Sequence, residues 1–428
     1  MTNAEIIDLK AEIHHQMQAI GKQARAAYAV MAEARNEQKD MALAQAALAL
    51  REQAHAILSA NAKDIEFGKE KNLDAAQIDR LTLNPQRVEA MAAGLETIAT
   101  LPDPVNKILD KWERPNGLAL QRVSIPLGVI GLIYEARPNV TADAAGLCIK
   151  SGNAVILRGG SESFYSSQAI AECLHHGLKA AGLPAEAVQL VPTRDRAAVS
   201  EMLSMTGLID VIIPRGGKSL TALVAAESRI PALLHLEGNC HTYIHEKADA
   251  AMAEAILLNA KMRRTGICGA TESLLIDETI AARLLPGLAE ALAKAECEMR
   301  GDEAARALDR RIKPATPEDW DTEYLAPIIS IKVLAGLEEA IHHINAHGSH
   351  HTDAIVTADT AAARLFLRKV DSAIVMHNAS TQFADGGEFG FGAEIGISTG
   401  RLHTRGPVGA EQLTTYKYVV HGDGQVRV

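Results

Sequence analysis

The chain has 428 residues, 47% of them hydrophobic, which is enough to bury two cores rather than one. Its formal net charge of −10 gives no general attraction to a polyanion, so nucleic acid is excluded as a partner class and only a local basic cleft remains for a phosphorylated metabolite. Cys148, Cys173, Cys240, Cys268 and Cys297 form neither CxxC pairs nor an even disulfide framework, and nothing approaches a metal-ligand spacing. The opening MTNAEIIDLKAEIHHQ is acidic where a signal peptide is basic and then apolar, and no stretch reaches about 18 uncharged apolar residues. A cytoplasmic protein with no membrane span and no metal is expected.

From Asn3 to about Leu101, apolar residues recur at helical spacing in an Ala-, Glu- and Leu-rich background, predicting a helical layer. KILDKWERPNGLALQRVSIP predicts a hairpin over 108–125 around Pro115-Asn116-Gly117, with no evident partner. Strands then alternate with helices: VIGLIY (129–134), a helix over 141–150, AVILR (154–158), a helix over 163–181, AVQLV (187–191), a helix near 195–205, DVIIP (210–214) and a helix over 218–228. Uncharged β-branched runs between amphipathic helices predict a parallel sheet covered on both faces. LLHLEG and HTYIH are read as further strands, followed by a helix over 248–262 and a second α/β unit through SLLID, APIISIKVL, AIVT and AIVMHN. The tail TTYKYVVHGDGQVRV alternates as an exposed or partner-paired edge strand does.

Cys268 lies in Thr265-Gly266-Ile267-Cys268-Gly269-Ala270, after a helix bearing Lys261, Arg263 and Arg264. Flanking glycines permit close approach to the sulfur, and adjacent cations or helix-end amides favour the thiolate. A small buried side chain in a turn is the competing reading. Asn139 follows a strand and precedes a helix, where its carboxamide is either an oxyanion donor or a helix cap. Arg158, Ser161 and the free amides of GGSES suit a phosphate, as do Gly216, Gly217 and Lys218; each loop alone also reads as an ordinary strand-to-helix turn. The crowd His342, His343, His347, His350 and His351 reads as a solvated helix end rather than a metal site.

In order along the chain, PLGVIGLIYEARPNVTADAAGLCIKSGNAVILRGG, IDVIIPRGGKSL, HLEGNCHTYIHEKAD, MRRTGICGATESLLID and EYLAPIISIKVL resemble the aldehyde dehydrogenase superfamily. EEAIHHINAHGSHHTDAI and FGFGAEIGISTGRLHTRGPVGAEQLTTYKY are similar to the branch that reduces L-glutamyl 5-phosphate to L-glutamate 5-semialdehyde for proline synthesis.

The resemblance implies an α/β fold with a Rossmann-like cofactor domain lacking GxGxxG (1–232, with the oligomerisation hairpin), a catalytic domain (233–400), and a return with an oligomerisation strand (401–428). It also implies Cys268 as nucleophile, Asn139 as oxyanion donor, and Arg158 and Glu323 as contacts to the two cofactor riboses. Ser161 replaces a glutamate common in NAD-linked members, which favours NADPH. His235 stands where hydrolytic members keep a general-base glutamate, unless the alignment shifts to Glu237. Arg137, Arg263, Arg264, Arg401 and Arg405 are candidates for the substrate's phosphate and carboxylate. A homodimer or higher homo-oligomer is expected, and contact with a glutamate 5-kinase is left open. A coenzyme A-dependent acylating enzyme and a non-catalytic scaffold are the alternatives.

Overall fold

Strands without charged residues need apolar cover on both faces, and the helices of this chain supply it. The computed structural model describes residues 3–234 and 237–427. Contacts divide it into two units, the first comprising the chain up to Leu234 with Gly390–Gly396 and Val408 onward, the second the chain from there to Phe389 with Ile397–Pro407.

In the first unit, Val188–Leu190, Ala154–Arg158, Val129–Tyr134 and Val211–Arg215 lie side by side in that order, all parallel. One face is covered by Asn36–Glu52, Pro85–Thr100, Val140–Lys150 and Phe164–Ala180, around Leu43, Leu147 and Leu157. Asn3–Met31, Ala197–Ser204 and Lys218–Glu227 cover the other, around Met17, Ile156 and Met202. The helical layer is pinned by Lys150, a fully buried ammonium that donates to Asn36 Oδ1 (2.9 Å), to the carbonyl of Ala99 (3.0 Å) and to Asp40. Lys150 is the last residue of the helix that opens at Asn139.

The hairpin of Ile108–Glu113 and Ala119–Pro126 is present, with Gly117 at φ +85°, a conformation glycine adopts without strain. Two expectations about it are corrected. The hairpin and the tail have intrachain partners, because Thr414–His421 pairs antiparallel with Ala119–Pro126 to give a three-stranded sheet. Nearly 300 residues separate the two segments, and local periodicity carries no trace of such a pairing.

The second unit holds a seven-stranded sheet in the order Lys313–Pro314, Glu298–Gly301, Ile328–Leu334, Thr271–Asp277, Cys240–Ile244, Thr352–Val356, Ile374–His377, every pairing parallel. Glu278–Lys294 packs Leu285 and Leu288 against one face, while Ile341, Ile344 and Phe366 belong to the core on another side. LLHLEG forms no strand in its described part, where Gly238 instead lies against the Cys268 backbone. His235 and Leu236 are outside the described residues. The tail does not behave as one piece: Ile397–Ser398 and Gly406–Pro407 form a small antiparallel pair in the second unit, and Ile397 packs with Ile374 and Met376.

Candidate active site

Cys268 is the one cysteine of five that is not buried. Burial pushes the thiols of Cys173 and Cys297 up to about 11 and raises Cys148 and Cys240 further, so none of those four supplies thiolate near neutral pH. The Cys268 turn is closed by Ala270 N donating to the Ile267 carbonyl (3.0 Å), and the Cys240 thiol donates to the Cys268 carbonyl from behind (3.1 Å). Gly238 sits so close that a Cβ there would come within 1.9 Å of the Cys268 carbonyl oxygen, which makes glycine obligatory. The Gly238 amide in turn donates to Glu323 Oε1 at 2.9 Å. Cys268, Gly238, Glu323, His350 and Asp371 all lie just ahead of strands in the parallel sheet, so the second unit collects its reactive residues at the amino edge.

The cations placed near Cys268 by sequence separate. Lys261 is fully buried in an ion pair with Glu272, whose carboxyl burial pushes up to about 7 against the pull of Lys261; this ammonium is spent on the core. Arg263 and Arg264 remain exposed, with Arg263 Nη1 donating to Gln382 Oε1 at 3.3 Å. The preceding helix presents carbonyls at its end, so the expectation of helix-end amides from that element is corrected. Arg401 and Arg405 converge on Asp371: Arg405 Nη1 donates to Oδ1 at 2.9 Å, Arg401 pairs with Oδ2, and His350 Nδ1 lies 2.6 Å from the Asp371 carbonyl. Two guanidinium groups on one carboxylate leave a positive surplus beside the strand that packs with Cys268.

The histidine segment is only partly a solvated helix end. His343 is buried and held neutral, its pKa lowered to about 2 chiefly by burial, and its ring lies 4.4 Å from that of His347. His351 is also buried, beside Thr352 and Cys240. Among the described residues no three His, Cys, Asp or Glu side chains form a metal-ligand group.

In the first unit the candidates gather at the opposite, carboxyl edge of their sheet. Asn139 opens the helix Val140–Lys150 without capping it; its Nδ2 donates to Asp143 Oδ2 at 2.9 Å, and burial pushes the Asp143 carboxyl up to about 6. Arg137 lies two residues earlier in the same turn. At the two phosphate-like loops, one amide of the Gly216–Lys218 turn and two amides just past GGSES are already engaged by carboxylates. Gly217 N donates to Glu135 Oε2 (2.9 Å) ahead of Lys218, with Gly216 pressed against the same carboxylate. Past Ser161, Tyr165 N and Ser166 N donate to Asp64 (3.1 and 2.7 Å). Arg158 is buried, with Nη2 on the Arg194 carbonyl (3.1 Å) and Nε without an acceptor among the described residues.

The model of the aldehyde dehydrogenase family matches residues 1–307. A gamma-glutamyl phosphate reductase of Rhodospirillum rubrum is 63% identical over 408 residues, covering 95% of this chain and 96% of its own, and one of Paramagnetospirillum magneticum is 62% identical over 411, covering 96% and 97%. The crystal structure of gamma-glutamyl phosphate reductase from Thermotoga maritima superposes with a TM-score of 0.94 at 42% identity, covering 96% of this chain and all of that one. The chain belongs to the aldehyde dehydrogenase family, among its gamma-glutamyl phosphate reductases. For a member of this family the fold expected from sequence is the fold found. The Gly238–Cys268 contact, the spent amides and the Asp371 cluster escaped sequence reasoning, since each depends on segments far apart in the chain.

Proposed function

We propose that the chain reduces L-glutamyl 5-phosphate to L-glutamate 5-semialdehyde and phosphate, a step of proline biosynthesis, with Cys268 as nucleophile and NADPH as reductant. The observation that carries this is the partly open Cys268, fixed from behind by Gly238 and Cys240, in a chain 63% identical to a named reductase. Cys268 Sγ, as thiolate, bonds to the acyl carbon; the tetrahedral adduct collapses with loss of phosphate to leave a thioester. The Asn139 carboxamide, held by Asp143, and the Cys268 backbone amide are assigned as donors to the oxyanion. Arg137, Arg263, Arg264, Arg401 and Arg405 supply candidate charge for the substrate's phosphate and carboxylate.

The first unit fits a nicotinamide dinucleotide by its chemistry: an orphaned buried guanidinium N–H of Arg158, the Ser161 hydroxyl and glycines at 159 and 160 line one concavity. When bound, such a cofactor supplies the hydride that takes the thioester to the aldehyde. Arg158 and Ser161 would hold its adenosine end, the Gly216–Lys218 turn its diphosphate, and Glu323 its nicotinamide ribose. Departure of the aldehyde returns the thiolate to Cys268. Self-association is supported by the three-stranded sheet, where Ile108, Leu109, Tyr418 and Val420 are exposed. No described helix is long and apolar enough to cross a membrane, and the reading places the enzyme in the cytoplasm.

The test is the reverse reaction. Semialdehyde should reduce NADP⁺ beyond one equivalent per Cys268 only with phosphate present, coenzyme A should not substitute, and Cys268→Ala should abolish turnover while NADPH still binds. Turnover retained by Cys268→Ala, or dependence on coenzyme A, would defeat the reading.

A further inference from the structure

Asn139 opens the helix Val140–Lys150 in helical backbone conformation, at φ −59° and ψ −28°, and its side chain does not cap the helix. The first turn has no use for a cap. Its amides at Val140, Thr141 and Ala142 already donate to the carbonyls of Arg137, Pro138 and Asn139, at 3.1, 3.1 and 3.0 Å. The carboxamide runs along the helix instead, and Nδ2 donates to Asp143 Oδ2 at 2.9 Å, four residues on. Helix stability gives little reason for this pair. Side-chain contacts at that spacing contribute only about 0.2–0.5 kcal/mol, and burial pushes the Asp143 carboxyl up to about 6, so the fold disfavours its charged form.

A carboxylate has no hydrogen to give, and that fixes which way the carboxamide faces. Only Nδ2 can turn toward an ionised Asp143, because the flipped amide would set Oδ1 against a carboxylate oxygen. The pair therefore uses one Nδ2 hydrogen and leaves the other for a second acceptor. An amide at position 143 carries both a donor and an acceptor and would admit either orientation. Asp143 is itself confined. A Cβ added to Gly94, on the helix Pro85–Thr100, would lie 3.8 Å from Oδ1, and the charge of Arg215, at the end of Val211–Arg215, offsets part of that of the carboxylate. Among the described residues, Asn139 is the one side chain that donates to it.

We infer that Asp143 is a positioning residue of the reduction, whose carboxylate selects the Asn139 orientation that presents an N–H, rather than the carbonyl oxygen, to the tetrahedral oxyanions. The inference rests on the assignment of Asn139 as oxyanion donor and deepens it. A donor already aimed where charge develops needs no reorganisation as the adduct forms. An amide free to flip is turned part of the time to offer an oxygen, which repels the oxyanion. Asp143 acts only through Asn139.

The experiment measures kcat and KM for phosphate-dependent semialdehyde oxidation by NADP⁺ in the full chain, for wild type, Asn139→Ala, Asp143→Ala, Asp143→Asn and the double variant Asn139→Ala/Asp143→Ala. Asn139→Ala should lose about 100-fold in kcat, the cost of one oxyanion donor. Asp143→Ala should lose about tenfold in kcat with KM for semialdehyde within about twofold of wild type, and should cost less than about twofold once Asn139 is already Ala. A tenfold loss that persists in the Asn139→Ala background, or no loss on wild type, overturns the inference and leaves Asn139 as donor. An Asn139→Ala enzyme as fast as wild type overturns the donor assignment beneath it. Should Asp143→Ala not fold, Asp143→Asn decides. Its kcat should fall by about threefold or more while its resistance to urea equals or exceeds that of wild type, a pairing that a merely structural role does not give. An unchanged kcat, or a fall in kcat matched by a fall in stability, would refute the inference.

Discussion

Gly238→Ala is a one-carbon perturbation whose consequence can be worked from the coordinates. The added Cβ would lie 1.9 Å from the Cys268 carbonyl oxygen and 2.6 Å from the Cys268 Cα, against a floor of 3.0 Å for real Cβ contacts. The atoms met are backbone, so no rotamer change relieves the clash, and the two segments must part by about 1 Å, the scale at which misplacement of a reacting group costs on the order of 100-fold in rate. Stability should fall by roughly 1–3 kcal/mol, as for other overpacked sites. The expected outcome is kcat for semialdehyde oxidation reduced about 100-fold, NADPH binding unchanged, and an altered rate of Cys268 alkylation by iodoacetamide. A variant with kcat and alkylation both within about threefold of wild type would refute the claim that this contact sets the sulfur's position.

Three further outcomes are expected. Lys261→Met leaves Glu272 buried without its cation and should destabilise the chain by about 3–5 kcal/mol, largely regained in Lys261→Met/Glu272→Leu, as urea unfolding of both variants would show. Burial raises Asp143 to about 6 from an ordinary carboxylate value, so its charged form is the one the fold disfavours, and this contribution to stability is lost as pH rises through 6. Asp143→Asn should therefore gain about 1–2 kcal/mol on wild type between pH 4.5 and 7.5, after allowance for partial exposure, in paired urea titrations. Tyr418→Glu together with Val420→Glu places charge on the exposed face of the three-stranded sheet and should lower the sedimentation mass; an unchanged mass would refute self-association through that face.

What was legible in the sequence was whatever local pattern or long motifs encode. Apolar runs such as AVIL at 154–157 and VIIP at 211–214 announced a two-sided parallel sheet, and the Pro115-Asn116-Gly117 turn announced its hairpin. Cys268 stood out by its glycine-flanked turn, and the structure leaves it as the one unburied thiol. The rest was hidden because it is made by distance along the chain. Thr414–His421 looked unpartnered until set against Ala119–Pro126. Lys261 looked like an activating cation, yet Glu272 eleven residues on takes its charge into the core. The amides of two helix starts looked free, but Glu135 takes Gly217 N and Asp64 takes Tyr165 N and Ser166 N from other segments.

The central claim is a covalent bond to one sulfur. Protein quenched in acid during incubation with semialdehyde and NADP⁺, without phosphate, can be digested and its peptides weighed. The account predicts one glutamyl group on the peptide carrying Cys268 and none in Cys268→Ala. A glutamyl group on another residue, or none at all while NADP⁺ is being reduced in step with added phosphate, would contradict it.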